Sequence, residues 1–178
     1  MSKGLLITNA RIMSPTLTLR SGWLVCHNGR IDAMGSGIPL GMGNMETIDA
    51  RGLLLLPGFI DVHVHGAKGC DTMDASVESL ATMAEFYATH GVTSFLATTW
   101  TASRDRISAA LTAVKDYISG THPGAQLLGV HLEGPYLNPS KCGAQNAEHI
   151  RRAMQDEALE FLDRGVIRLV SLAPEYQE

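Results

Sequence analysis

Two histidines, His63 and His65, alternate with valines in the run Leu56-Pro57-Gly58-Phe59-Ile60-Asp61-Val62-His63-Val64-His65-Gly66. A strand sends alternate side chains to opposite faces. Asp61, His63 and His65 therefore share one face, and Ile60, Val62 and Val64 the other. Two imidazoles on one strand face make half of a chelating site, because neutral imidazole is a good ligand for zinc, iron and similar ions. A bare His-x-His is more often a pair of hydrogen-bonded histidines than a metal site.

A second pair changes that balance. His131-Leu132-Glu133-Gly134-Pro135 closes another apolar run, with His131 and Glu133 two apart and so also on one face. In parallel α/β barrels, functional side chains sit at the C-terminal ends of strands. Both motifs occupy that position, which predicts that His63, His65 and Glu133 gather around one mouth. Two imidazoles and a carboxylate, with positions left for water, are the ligands of a catalytic metal site. Alone, Glu133 reads as a surface glutamate at a strand–loop junction; beside the histidines it reads as a ligand. Asp61 is expected to orient a histidine or bind a backbone group. His131 reads as a supporting partner of the site or as a satisfied core histidine. Trp100, at a strand end, reads as packing by default or else as lining the pocket, and Met73, Met83 and Met154 read as core fillers. No base is apparent near Cys142, and His27, His90, His122 and His149 carry no spacing argument.

These residues need elements to hold them. Residues 1–56 read as short strands, including Leu5-Leu6-Ile7, Trp23–Cys26 and Arg30–Met34, the last two flanking an Asn28-Gly29 type I′ turn. Gly35 to Asn44 reads as a loop. This part is expected to be a small β-domain packed on the remainder of the chain. From about 57 the pattern alternates. A strand at 55–64 leads to a helix from about Ser76 to His90 on Leu80, Met83, Ala84 and Tyr87, stopped by Gly91. A strand at 93–100 leads to a helix from about Arg104 to Ile118 on Ile107, Ala110, Leu111, Val114 and Ile118, capped by Ser103. A strand at 126–132 is followed by a long loop, then by a helix near Asp156–Arg164 burying Leu159 and Leu162. A strand at 167–172 comes last. Such alternation implies parallel strands with helices outside them, an α/β fold.

The chain has 178 residues, 45% hydrophobic and 18% charged, with a net charge of −4. That is a globular composition with enough apolar residues for a core. No basic block argues for nucleic acid as a partner. No run approaches the ~20 apolar residues of a membrane span, and the first residues do not read as a signal peptide. Three scattered cysteines read as reduced thiols. A cytoplasmic protein is the expectation.

The segment 57–66 resembles the first barrel strand of the amidohydrolase superfamily. Residues 69–75, 93–99, 128–136, 141–146 and 172–175 narrow the resemblance to the N-acetylglucosamine-6-phosphate deacetylase family. It implies a metal-dependent (β/α)8 TIM barrel, of which residues 57–178 would be the first four βα units, preceded at 1–56 by part of a small β-sandwich. It implies hydrolysis of the acetamide of N-acetylglucosamine 6-phosphate to glucosamine 6-phosphate and acetate. It also implies that His63 and His65 hold one metal, that Glu133 bridges to a second, and that two zinc or iron ions are used. Ala144 and Gln145 match loop positions that touch substrate, Gln145 standing where some members have histidine. The family's acid, an aspartate on the eighth strand, and two later histidines would lie beyond Glu178. The expectation is an N-terminal half, without turnover by itself, of an enzyme that is a homodimer at full length. The alternatives are the N-acetylgalactosamine 6-phosphate deacetylases and a non-catalytic metal- or sugar-phosphate-binding half-barrel. A dihydroorotase-like enzyme, which bridges its metals with lysine, fits the Glu133 segment less well.

Overall fold

The computed structural model describes residues 4–39, 41, 43 and 45–175. The chain divides between Pro57 and Gly58 into two compact units. Leu40, Met42 and Asn44, within the expected loop at 35–44, lie outside the described residues.

The first unit is one mixed sheet. Its strands are β1 (Leu5–Met13), β2 (Thr18–His27), β3 (Arg30–Ser36), β4 (Glu46–Asp49) and β5 (Leu54–Leu55). The order is β3-β2-β1-β4, with β5 also on β1. β1–β2 and β2–β3 are antiparallel, while β4 and β5 run parallel to β1. Asn28 and Gly29 both have positive φ (51° and 73°), as a type I′ turn requires. Ala10, Ile12 and Leu24 form the centre of a small apolar cluster.

The second unit contains β6 (Phe59–Val64), the short hairpin β7 (Gly66–Ala67) and β8 (Cys70–Asp71), α1 (Val77–Ala88), β9 (Val92–Thr98), α2 (Arg104–Ser119), β10 (Gln126–Glu133), α3 (Gln155–Asp163) and β11 (Ile167–Ser171). Its main sheet runs β11-β10-β9-β6, every neighbouring pair parallel. The expected α/β alternation is therefore present. The strand expected at 55–64 is two strands, because Pro57 and Gly58 interrupt the ladder; the ring of proline removes a donor. Ser76 and Ser103 accept from the Ser79 and Arg106 backbone N–H groups and so begin α1 and α2. Among the described residues, no helix is long and apolar enough to cross a membrane.

The core lies between helices and sheet. Leu80, Met83 and Tyr87 of α1, Ile107, Leu111 and Val114 of α2 and Phe161 of α3 meet Phe95, Leu127 and Val130 of the strands. The buried face expected for α1 is the observed one. On α2, Ile118 is exposed and Tyr117 is buried in its place. On α3 the expectation fails. Leu159 and Leu162 are 47% and 53% exposed, whereas Glu157 and Phe161, one helical turn apart, face inward. A buried glutamate is tolerated there because Arg151 donates to it from Nε and Nη2, and the Tyr136 hydroxyl donates to the same carboxylate. Met83 is buried as expected, Met73 only partly, and Met154 is exposed.

Candidate metal centre

His63 is the penultimate residue of β6 and His65 directly follows the strand, so both lie at the sheet's C-terminal edge. The Asp61 carboxylate accepts from the His63 backbone N–H at 3.0 Å and shapes the strand end. Thr98, fully buried at the end of β9, holds the next turn twice. Its hydroxyl accepts from the Val64 N–H at 2.9 Å, and its carbonyl faces His65 Nδ1 at 3.2 Å. A carbonyl only accepts, so His65 Nδ1 carries the proton and, in the neutral ring, Nε2 carries the lone pair.

That lone pair points at a carboxylate. His65 Nε2 lies 3.2 Å from Glu133 Oε2, and His63 Nε2 lies 4.0 Å from the same oxygen. Glu133 is the last residue of β10, and its backbone N–H donates to Thr99 Oγ1. Each of the three residues offers a ligand atom, and these atoms all lie within 4.8 Å of one another. Two acceptors that face each other at 3.2 Å need a cation between them, a proton or a metal, to be at rest. The chemistry of the donor set, imidazole with carboxylate, fits a divalent transition ion.

His131 is 3% exposed. Its Nδ1 donates to the Val62 carbonyl at 3.1 Å, and its Nε2 accepts from the Ser171 hydroxyl at 2.9 Å. Burial and then the neighbouring His63 push its pKa below the usual histidine value, which favours this neutral form. The ring reaches across β9 from β10 to β6 and ties β11 in as well. It supports the site without joining the ligand cluster.

Several contributors carry no signal in residue spacing. Trp100 stacks on His65, ring centroids 3.7 Å apart and 15° from parallel, and donates its indole N–H to Asp71 at 3.1 Å. Asp71 is fixed in turn by the Met73 N–H, while the Asp74 carboxylate accepts from the Asp71 N–H. The signal available was position: Thr98 and Trp100 sit at the C-terminal end of a parallel strand, where the histidines also sit. Gln145, expected in a substrate loop, donates from Nε2 to Glu133 Oε2 at 2.8 Å, and its Oε1 accepts from the Thr101 N–H at 2.7 Å. Ala144 does not touch the ligand cluster; it lines an open groove of about 340 Å³ with Asp71, Met73, Trp100 and Arg106.

The loop from Gly134 to Met154 is anchored by Arg151. Its Nη1 donates to the Ala102 and His149 carbonyls, and its backbone N–H to the Pro135 carbonyl. Gly134 has φ of 71° and a Cβ there would run into Thr101 Oγ1, so glycine after Glu133 is a steric requirement.

A family model described as the amidohydrolase family matches residues 54–177. The N-acetylglucosamine-6-phosphate deacetylase of Bacillus subtilis (strain 168) is 37% identical over 185 residues, covering 98% of this chain and 46% of that protein. The N-acetylgalactosamine-6-phosphate deacetylase of Escherichia coli O157:H7 is 39% identical over 163 residues, covering 89% of this chain and 42% of that one. A crystal structure of N-acetylglucosamine-6-phosphate deacetylase from Pasteurella multocida superposes with a TM-score of 0.85 at 30% identity, over 95% of this chain and 44% of that chain. The chain thus spans about half the length of the curated relatives it matches.

Proposed function

The chain belongs to the amidohydrolase family, and from that premise we propose that it is part of an enzyme hydrolysing the acetamide of N-acetylglucosamine 6-phosphate to glucosamine 6-phosphate and acetate. The observation that carries the reading is the convergence of His63, His65 and Glu133 at strand ends, with the His65 lone pair facing the carboxylate. The substrate comes from the names of the relatives. Residues 57–178 then correspond to the first four βα units of a (β/α)8 barrel, and residues 1–56 to part of a small β-sandwich. The native enzyme is a cytoplasmic homodimer in this reading.

His63, His65 and Glu133 are the residues of this chain that would hold the metal, two zinc or iron ions in this reading. Such ions make water nucleophilic near neutral pH and polarise an amide carbonyl. The chain's own residues prepare that chemistry. Thr98 sets the His65 tautomer, Trp100 covers one face of its ring against water, and Asp61 and His131 hold the strand ends. The substrate lies against the groove that Ala144 lines, beside Trp100.

The test is acetate release from N-acetylglucosamine 6-phosphate by the native protein, before and after chelation and after zinc or ferrous iron is returned. Loss and recovery with metal are expected. A metal-free preparation that keeps full turnover would overturn the reading. The N-acetylgalactosamine epimer is the second substrate to assay, favoured by the 39% identity to a deacetylase of that name; a higher kcat/KM on it would exchange the two.

A further inference from the structure

We infer that Gln145 is a positioning residue, whose amide bridges the Thr101 backbone N–H to Glu133 and holds that carboxylate turned toward the two histidines. The inference rests on the metal reading above and deepens it. The two ends of an amide side chain are nearly alike in shape, so orientation must come from the partners. Here one partner decides it. The Thr101 N–H can only donate, so the end facing it at 2.7 Å is Oε1. Nε2 then faces Glu133 Oε2, at 2.8 Å. Turning the amide over would place donor against donor at Thr101 and acceptor against acceptor at Glu133.

The oxygen that Gln145 holds is the one that matters. Glu133 Oε2 is also the atom nearest His65 Nε2 and His63 Nε2. A donor on that oxygen opposes rotation of the carboxylate away from the imidazoles. Gln145 itself has little freedom. Its backbone N–H donates to the Cys142 carbonyl at 3.0 Å, closing a turn. Farther along the same loop, Arg151 ties His149 to Ala102, the residue after Thr101. The loops after β9 and β10 are therefore joined at two points, and Gln145 is the point that touches the ligand cluster. One N–H and one oxygen lone pair of the amide are engaged, which fixes its orientation between Thr101 and Glu133. A carboxamide does not ionise near neutral pH, so its donor stays in place where a histidine could change its charge.

Two variants test it in the native protein. Gln145→Met keeps length and bulk and removes both hydrogen bonds. Gln145→Asn keeps the amide on a side chain one methylene too short to span the gap. Cobalt(II) affinity is read by chelator competition and by the visible absorption of the bound ion, and KM is read at saturating metal. The loss of such a supporting partner is expected to weaken the metal by about 10–100-fold and to leave KM nearly unchanged. Unchanged cobalt affinity with a raised KM would make Gln145 a substrate contact and overturn the inference, while leaving the metal reading intact. A wild-type protein that takes up no cobalt would bring down the metal reading and the inference with it. Failure of both variants to fold also counts against it, because a side chain that only turns a carboxylate leaves the melting temperature of the metal-free protein intact.

Discussion

Thr98 and Trp100 show how much of a candidate ligand's behaviour is set by its neighbours. Thr98 determines which nitrogen of His65 is free, and Trp100 determines the plane in which the ring lies. Replacing Trp100 with leucine keeps an apolar neighbour but removes the stack and the bond to Asp71. Cobalt or zinc affinity is expected to fall by about 10–100-fold, the usual cost of losing an outer partner; equilibrium dialysis measures it. Glu133→Gln keeps size and shape and removes the charge. It is expected to weaken the metal at least as much as Trp100→Leu does, and the same dialysis ranks the two. His63, His65 and Glu133 were legible in the sequence because strand periodicity of two dictates which residues share a face. The roles of Trp100 and Gln145 were not, since stacking on His65 and a bond to Glu133 depend on loops that meet in space, with no period linking them.

At the scale of elements, helix α3 is the instructive case. Its apolar residues Leu159 and Leu162 suggested a buried face that the structure turns outward, because Phe161 and the Arg151-bound Glu157 occupy the core side. Phe161 is fully buried, so Phe161→Ala is expected to cost ~3–5 kcal/mol in urea denaturation. Leu159→Ala is expected to cost much less, since that side chain is half exposed. α3 is also joined to α2 through Glu160, which accepts from the Ser108 hydroxyl and from Arg104, and meets Arg164 at the C-cap of its own helix. The Ser108 hydrogen bond first, and then Arg104, hold the Glu160 carboxyl below the usual glutamate value. A lowered folded pKa means that the unfolded chain binds the proton more readily. The contribution is therefore present above the ordinary value of 4.5 and is lost as pH falls through the folded one. Glu160→Gln is expected to flatten the fall of stability with pH below about 4.5; melting curves across that window check it. The effect is small, because the carboxylate and its partners are partly open to solvent.

At the scale of the whole molecule, the parallel sheet of the second unit has β6 and β11 at its margins among the described residues. Ile60 and Val62 are 61% and 50% exposed, and Leu169 and Leu172 are 39% and 50% exposed. Unpaired strand margins with apolar side chains invite association. A 178-residue polypeptide of this sequence is expected to show a weight-average mass that rises with concentration in sedimentation. Ile60→Lys combined with Leu169→Lys should reduce that rise; a constant monomer mass for the parent would refute the expectation.

The sequence by itself determined the α/β alternation, the faces of β6 and β10 that carry His63, His65 and Glu133, and the turn at Asn28-Gly29. Each of these is a consequence of local periodicity or local backbone conformation, which neighbouring residues dictate. Tertiary structure alone decided which tautomer His65 holds, that His131 ties β10 to β6 and β11, and that Gln145 grips Glu133. It also decided that α3 turns Glu157 inward. Those outcomes depend on which donors and acceptors from distant segments are left to satisfy one another once the strands align, and a buried polar group takes whatever partner the packing brings within reach.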